Sequence, residues 1–268
     1  MCCVAIALFL ILLYLFFPVR RVNMLVEQTL SSQGLALAPA ARKSVLPGLI
    51  WHNTVLTSEQ GALIRFAGLN VRPLLLPLLT GRVVLRSAAS IGAGHMHLDY
   101  GVTGREVLSL TTDGVGLEEL PFFQSVLKAR AGGHLRGKGA VVRGAKGVNG
   151  EFQFEVQQLE LSGAKLGVFS LPDVSRLTSQ GIIRIIDGKA RLESATLQGE
   201  GIYMRLSGDI PMAAGSVAAP LNLQLDIMPK PEFLESQKLV FLLLAKYSVS
   251  PGVYRLPIRG TMLKPELI

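Results

Sequence analysis

Cysteine is confined to positions 2 and 3, inside an apolar run, and none follows. The body therefore holds no disulfide framework, no cysteine metal site and no thiol nucleophile. A body without cysteine suits the bacterial periplasm. Charge is also scarce: 17% of residues are charged against 49% apolar, which excludes a disordered chain. Aromatic residues are few. The densest basic stretch, Arg136, Lys138, Arg143 and Lys146, has no interleaved aromatics on which bases could stack. The net charge of +8 is therefore read first as a solvated sheet face and next as contact with acidic phospholipid headgroups; no nucleic-acid partner is expected.

Catalytic signatures are missing as well. There is no G-x-S-x-G elbow, P-loop, dinucleotide fingerprint or H-E-x-x-H, and the carboxylates are dispersed. Gly137 and Gly139 in "GKGAVVRG" resemble a glycine-rich loop but lie in strand-like sequence with no helix after them. The histidines are His52, His95, His97 and His134. His95 and His97 share one strand face with Asp99, a spacing compatible with a metal. Such a site needs a third or fourth ligand, and the neighbouring segments offer none. The expectation is no enzyme, no cofactor and no metal, with two exposed histidines on a polar face.

What is present begins with a membrane signal. Cys2 to Phe17 carries no charge and, with Met1 and Val19, reaches the ~17-residue lower limit for a transmembrane helix. No A-x-A cleavage site follows; "FFPVRR" does, which favours an uncleaved anchor over a signal peptide. Val22, Leu25, Val26 and Leu30 continue on one helical face, predicting a juxtamembrane helix over Val19 to Leu30. The expected division is an anchor and juxtamembrane helix over 1–30 and a β-rich domain over 31–268. Arg20 and Arg21 lie after the span with no basic residue before it, so the positive-inside rule alone would leave the body in the cytoplasm.

The body alternates apolar and polar residues at strand period. Met96, Leu98, Tyr100 and Val102 do so, as do Phe152, Phe154 and Val156. The phase then slips to Leu159 and Leu161, predicting a bulge near Gln157–Gln158. Ile202, Met204 and Leu206 alternate, and Leu221, Leu223, Leu225 and Ile227 do so most cleanly. Asn149-Gly150 and Asp187-Gly188 are expected hairpin turns. Each is followed by a similar pattern, with Glu155 and Leu159 matching Glu193 and Leu197, so a repeated hairpin is expected. Helical signal after residue 30 is limited to Leu74–Leu79, to Pro121–Arg130 with Phe122, Val126 and Ala129 on one side, and to Glu232–Tyr247. The last is opened by Pro231; its apolar second half should pack on the sheet or touch the membrane, and it is too short for a second span.

These pieces resemble protein N of the bacterial type II secretion system, in the form related to AsmA-like envelope proteins. The resemblance rests on the apolar run ending in "FFPVRR", "LPGLIWHNTVLT" at 46–57, "LNVRPLLLPLLTGR" at 69–82 and "GVYRLPIRGTMLKPEL" at 252–267. The last of these is the most specific. The resemblance implies a single-pass inner-membrane protein with its body in the periplasm, and a long, curved, mainly antiparallel sheet with a few short helices. It implies a structural role in protein export with other secretion subunits as partners. AsmA-like relatives suggest an alternative: an apolar sheet face that binds or transfers phospholipid.

Overall fold

The structure is a computed structural model that describes residues 19–44, 48–211 and 219–267. The expected span falls in 1–18, outside the described residues; among the described residues no helix is long and apolar enough to cross a membrane. Helix α1 (Val19–Ser31) occupies the expected juxtamembrane segment.

Sixteen strands then form one antiparallel sheet. In chain order they are β1 (Leu35–Ala38), β2 (Arg42–Lys43), β3 (Leu49–Ser58), β4 (Gly61–Pro73), β5 (Val84–Ile91), β6 (Gly94–Gly101), β7 (Glu106–Gly116), β8 (Arg130–Arg143) and β9 (Val148–Ser162). A separate small hairpin, β10 (Lys165–Leu166) and β11 (Phe169–Ser170), precedes β12 (Val174–Ile186), β13 (Lys189–Gly199), β14 (Ile202–Ile210) and β15 (Asn222–Pro229). Last come β16 (Ser248–Ser250), β17 (Val253–Thr261) and β18 (Lys264–Leu267). Nearly every strand pairs with its sequence neighbour, so the sheet is a meander built by adding hairpins.

The two ends of the strands differ. At the capped end three connections are long and carry α3 (Phe122–Leu127), the β10–β11 hairpin, and α4 (Pro231–Ser236) with α5 (Lys238–Leu243), between two-residue turns that join β3 to β4, β5 to β6 and β13 to β14. At the hairpin end most are short turns; the β4–β5 connection holds the five-residue helix α2 (Leu75–Leu79), and the β14–β15 connection runs over 211–221, in part outside the described residues. The Ser125 hydroxyl of α3 donates to the Ala62 carbonyl of β4 at 2.7 Å. The same helix touches β18, and β10 also touches β18. Strands far apart in the sheet order thus meet one short helix, so the sheet curls around its apolar face at the capped end.

That curl encloses the main core. Val156, Leu177, Met204, Leu225, Ile227 and Leu256 from the strands pack with Phe241, Leu244 and Tyr247 from the α4–α5 segment. Strand period 2 accounts for it: Leu225 and Ile227 are buried while Asn222 and Met228 are exposed. The expected phase of β9 also holds, with Gln153 exposed and Phe154 half-buried on the opposite face. The expected bulge lies at Gln158, whose φ is 54°, where the pairing of β8 with β9 shifts between Gly132 and His134.

Three local expectations are corrected. Asn149-Gly150 is not a turn: both residues lie in β9, opposite Val142 and Val141, and the chain reverses at Gly144–Gly147, closed by a 2.7 Å backbone bond. Asn149 instead accepts the Asp187 N–H at 2.8 Å, bracing the adjacent Asp187-Gly188 turn, which is a true two-residue hairpin with both φ positive. The matched segments therefore share strand patterning but not turn geometry. In α3, Phe123 and Leu127 meet the main core, and left-handed Lys128 ends the helix. The Glu232–Tyr247 helix is broken at Gln237, whose φ and ψ are −123° and 36°. Its side-chain amide exchanges two hydrogen bonds with the Asp173 backbone, at 2.8 and 2.7 Å, a tie that continuous helix geometry does not supply.

Ile227 is 0% exposed. Ile227→Ala is expected to lower stability by about 2–5 kcal/mol, whereas Gln153→Ala on the solvated face should stay within about 0.5 kcal/mol. Denaturant melts of the detergent-solubilised chain check both, and equal losses would contradict the assigned strand faces.

Candidate functional site

The apolar face is the candidate site, because it is the one surface the fold must dispose of. Its register is fixed strand by strand: Leu85 opposes Tyr100, Leu98 opposes Leu110, Leu110 opposes Gly139, Gly139 opposes Phe152 and Phe152 opposes Ile183. The face is filled unequally. Toward the capped end it lies under α3, α4 and α5. Toward the hairpin end a second group, Val107, Leu108, Val141, Phe152, Ile185 and Ile210 among it, consists of strand residues alone. Leu85, Leu98 and Leu110 are half-buried beside it, and Tyr100 is 44% exposed. The result is a packed half and a half-open apolar strip on one continuous surface.

Glycine shapes the open half. A Cβ at Gly139 would overlap the Phe152 ring, and one at Gly181 would overlap the Phe154 ring. Gly137 and Gly139 are interior positions of β8, the second of them against the Phe152 ring, and not a phosphate-cradling loop.

The opposite face is polar. It carries His95 opposite Asp113, His97 opposite Thr111 and Asp99 opposite Ser109. His52 lies on β3 opposite Gly68 and His134 on β8 opposite Gly116, so the four histidines do not converge. Both His95 and His97 are exposed. Asp99 is engaged: Arg86 donates to its carboxylate through Nε at 2.7 Å and through Nη2 at 2.6 Å. These bonds hold the Asp99 carboxyl below the usual range and raise Arg86, against the opposing effect of burial. Among the described residues no three His, Cys, Asp or Glu side chains are grouped to hold a metal.

The polar face also bends into a trough of about 830 Å³ lined by Asp113, Arg136, Lys138, Gln153, Glu155 and Gln180. The Arg136–Asp113 pair there is 2.9 Å long with both side chains more than half exposed, so solvent screens it. No histidine lines the trough, and nothing in it sets a base beside a nucleophile. It is a solvated surface without convergent chemistry.

The chain matches no family model, no curated protein and no solved structure.

The Arg86–Asp99 pair makes a pH test. The folded carboxyl titrates below its unfolded value, so its stabilising effect is complete above the ordinary Asp range and is lost as pH falls through the lowered value. Asp99→Asn is expected to melt below the wild type at neutral pH, with the two melting temperatures converging as pH falls below the ordinary Asp range. A gap that stays constant with pH would contradict the assignment.

Proposed function

We propose that this chain is a membrane-anchored structural component of a bacterial envelope export machine, with its body in the periplasm, in the manner of the type II secretion protein N that its sequence resembles. The observation that carries this reading is the packing of the chain's own α4–α5 segment onto the apolar face: Leu225, Ile227 and Leu256 meet Phe241 and Leu244, all of them buried. A face filled from within is a scaffold, and what remains for partners is its margin. The edge strand β16 has all three residues exposed, Val249 among them, and an exposed edge can accept a strand from another subunit. Deleting the gene should leave folded export substrates in the periplasm, and re-expressing the chain should restore their release. Normal release in the deletion strain would overturn the proposal. An alkaline phosphatase fused after the last residue should be active; an inactive fusion would reverse the orientation.

A second reading is favoured by the open half of the same face. Leu85, Leu98, Leu110 and Tyr100 have no helix above them, and an apolar strip of that kind suits acyl chains. Two substitutions separate the readings. Leu225→Asp places an unpartnered carboxylate in the packed half, at a cost of several kcal/mol, and should unfold the domain. Leu110→Asp lets the carboxylate reach water and should leave the fold intact. If phospholipid co-purifies with the wild type and is lost from a well-folded Leu110→Asp chain, the strip is a lipid site. If no phospholipid is held by either, the scaffold reading stands alone.

A further inference from the structure

The hairpin end of the sheet is basic and apolar at once. Arg42 beside β3, Arg72 and Arg82 flanking α2, Arg105 between β6 and β7, and Arg143 and Lys146 at the β8–β9 turn are all exposed. None of these six forms an ion pair with another described residue. Against them stand Glu106 and Asp187, while Asp209 is already paired with Arg191 at 3.2 Å. Amid this charge α2 presents Leu76 and Leu79, 80% and 74% exposed, and the β6–β7 turn presents Val102, 46% exposed. Large apolar side chains held in water within a basic ring are the pattern of a surface that meets an anionic, half-apolar interface.

The course of the N-terminal helix points the same way. The Asn23 side chain donates to the Ala41 carbonyl at 3.2 Å, and Ala41 precedes the Arg42–Ile50 pair near the hairpin end. The helix then runs to the capped end, where Leu35 pairs with Ser58. The chain therefore enters α1 at the hairpin end, and what precedes it in sequence is the uncharged run Cys2–Phe17. The capped end also exposes leucines, Leu239, Leu242 and Leu243, but beside them Lys238 lies 3.8 Å from Glu235 and Glu232 adds a further negative charge. That end also exposes Lys128, Arg130, Lys165, Lys230 and Lys246, but they are interspersed with the exposed carboxylates of Glu59, Glu118, Glu119 and Glu200, so its charge is mixed where that of the hairpin end is mainly basic.

We propose that the hairpin end docks on an anionic bilayer, with Leu76 and Leu79 of α2 entering the headgroup region and the ring of arginines meeting lipid phosphates. Basic residues near such a surface each add attraction that falls off within a Debye length. The sheet then stands with its strands directed away from the membrane. This rests on the anchorage in the function proposed above, but not on its secretion role or on lipid in the apolar strip.

The test uses the full chain with Cys2→Ser and Cys3→Ser, and one cysteine at Leu76→Cys or at Leu242→Cys, labelled with an environment-sensitive fluorophore. The labelled chains are reconstituted into phosphatidylcholine vesicles with and without phosphatidylglycerol, and nitroxide-bearing lipid is the quencher. The Leu76 label is expected to shift to the blue and lose most of its emission in anionic vesicles, while the Leu242 label stays near its value in water. Charge reversal by Arg82→Glu with Arg105→Glu, or added salt, should reduce the quenching at Leu76. The proposal is overturned if Leu242 is quenched as strongly as Leu76, if neither is quenched, or if charge reversal and salt leave the Leu76 signal unchanged. Failure here leaves the export and phospholipid assays unaffected, so the two proposals fail separately.

Discussion

A single sheet with one greasy face cannot stay folded in water unless much of that face is covered, and the curl of this sheet follows from how the cover is supplied. Here it comes from three short helical segments, all inserted at one end of the strands. They are too short to hold themselves as isolated helices, so they exist because the sheet gives them a surface, and the sheet curls because they draw its distant strands together. The meander order makes this possible, since each strand is placed by a local hairpin before any distant contact is needed.

The tie between Gln237 and Asp173 shows how the cover is fixed in place. Gln237 both accepts from and donates to the backbone of residue 173, in the segment that leads from the β10–β11 hairpin into β12. The break in the α4–α5 segment at that residue is therefore an attachment point. The hydrogen bond from Asp187 to Asn149 does the same work between two hairpins at the other end. The hydrophobic layer sets the approximate position of each element, and these few directional bonds set its register.

Much of this was legible from residue order alone. Period-2 alternation placed Leu225 and Ile227 on the buried face and Gln153 on the wet one, and the slip in phase after Val156 located the bulge at Gln158. What the pattern could not carry was conformational detail that depends on partners distant in sequence. Asn149-Gly150 has the composition of a turn, yet Gly144 and Gly147 close the chain a few residues earlier and leave Asn149 free to brace a neighbour. The segment from Glu232 reads as one helix because the pull of Asp173 on Gln237 is invisible locally. The same holds for the candidate surfaces. A leucine run with prolines is plain in "RPLLLPLLTGR", but its exposure follows only from the placement of α2 beyond the strand ends. The basic ring gathers arginines from connections scattered along the chain.

The rings lying over glycines bind these positions into joint units of inheritance. Phe152 occupies the space that a side chain at Gly139 would need, and Phe154 the space above Gly181. Any methyl added at either glycine is unwelcome while the phenyl ring remains, and a smaller side chain in place of the ring leaves a hollow over the glycine. At Gly181 the obstacle is the Phe154 ring alone, so these two are poor candidates for change alone and good ones for change together, since contacting residues have strongly non-additive effects; at Gly139 the Glu151 backbone carbonyl blocks a side chain whatever stands at 152. Across divergent descendants of this sheet, positions 154 and 181 would drift as a linked pair and 139 would stay glycine, while the wet residues nearby, such as Lys138 and Gln153, drift freely.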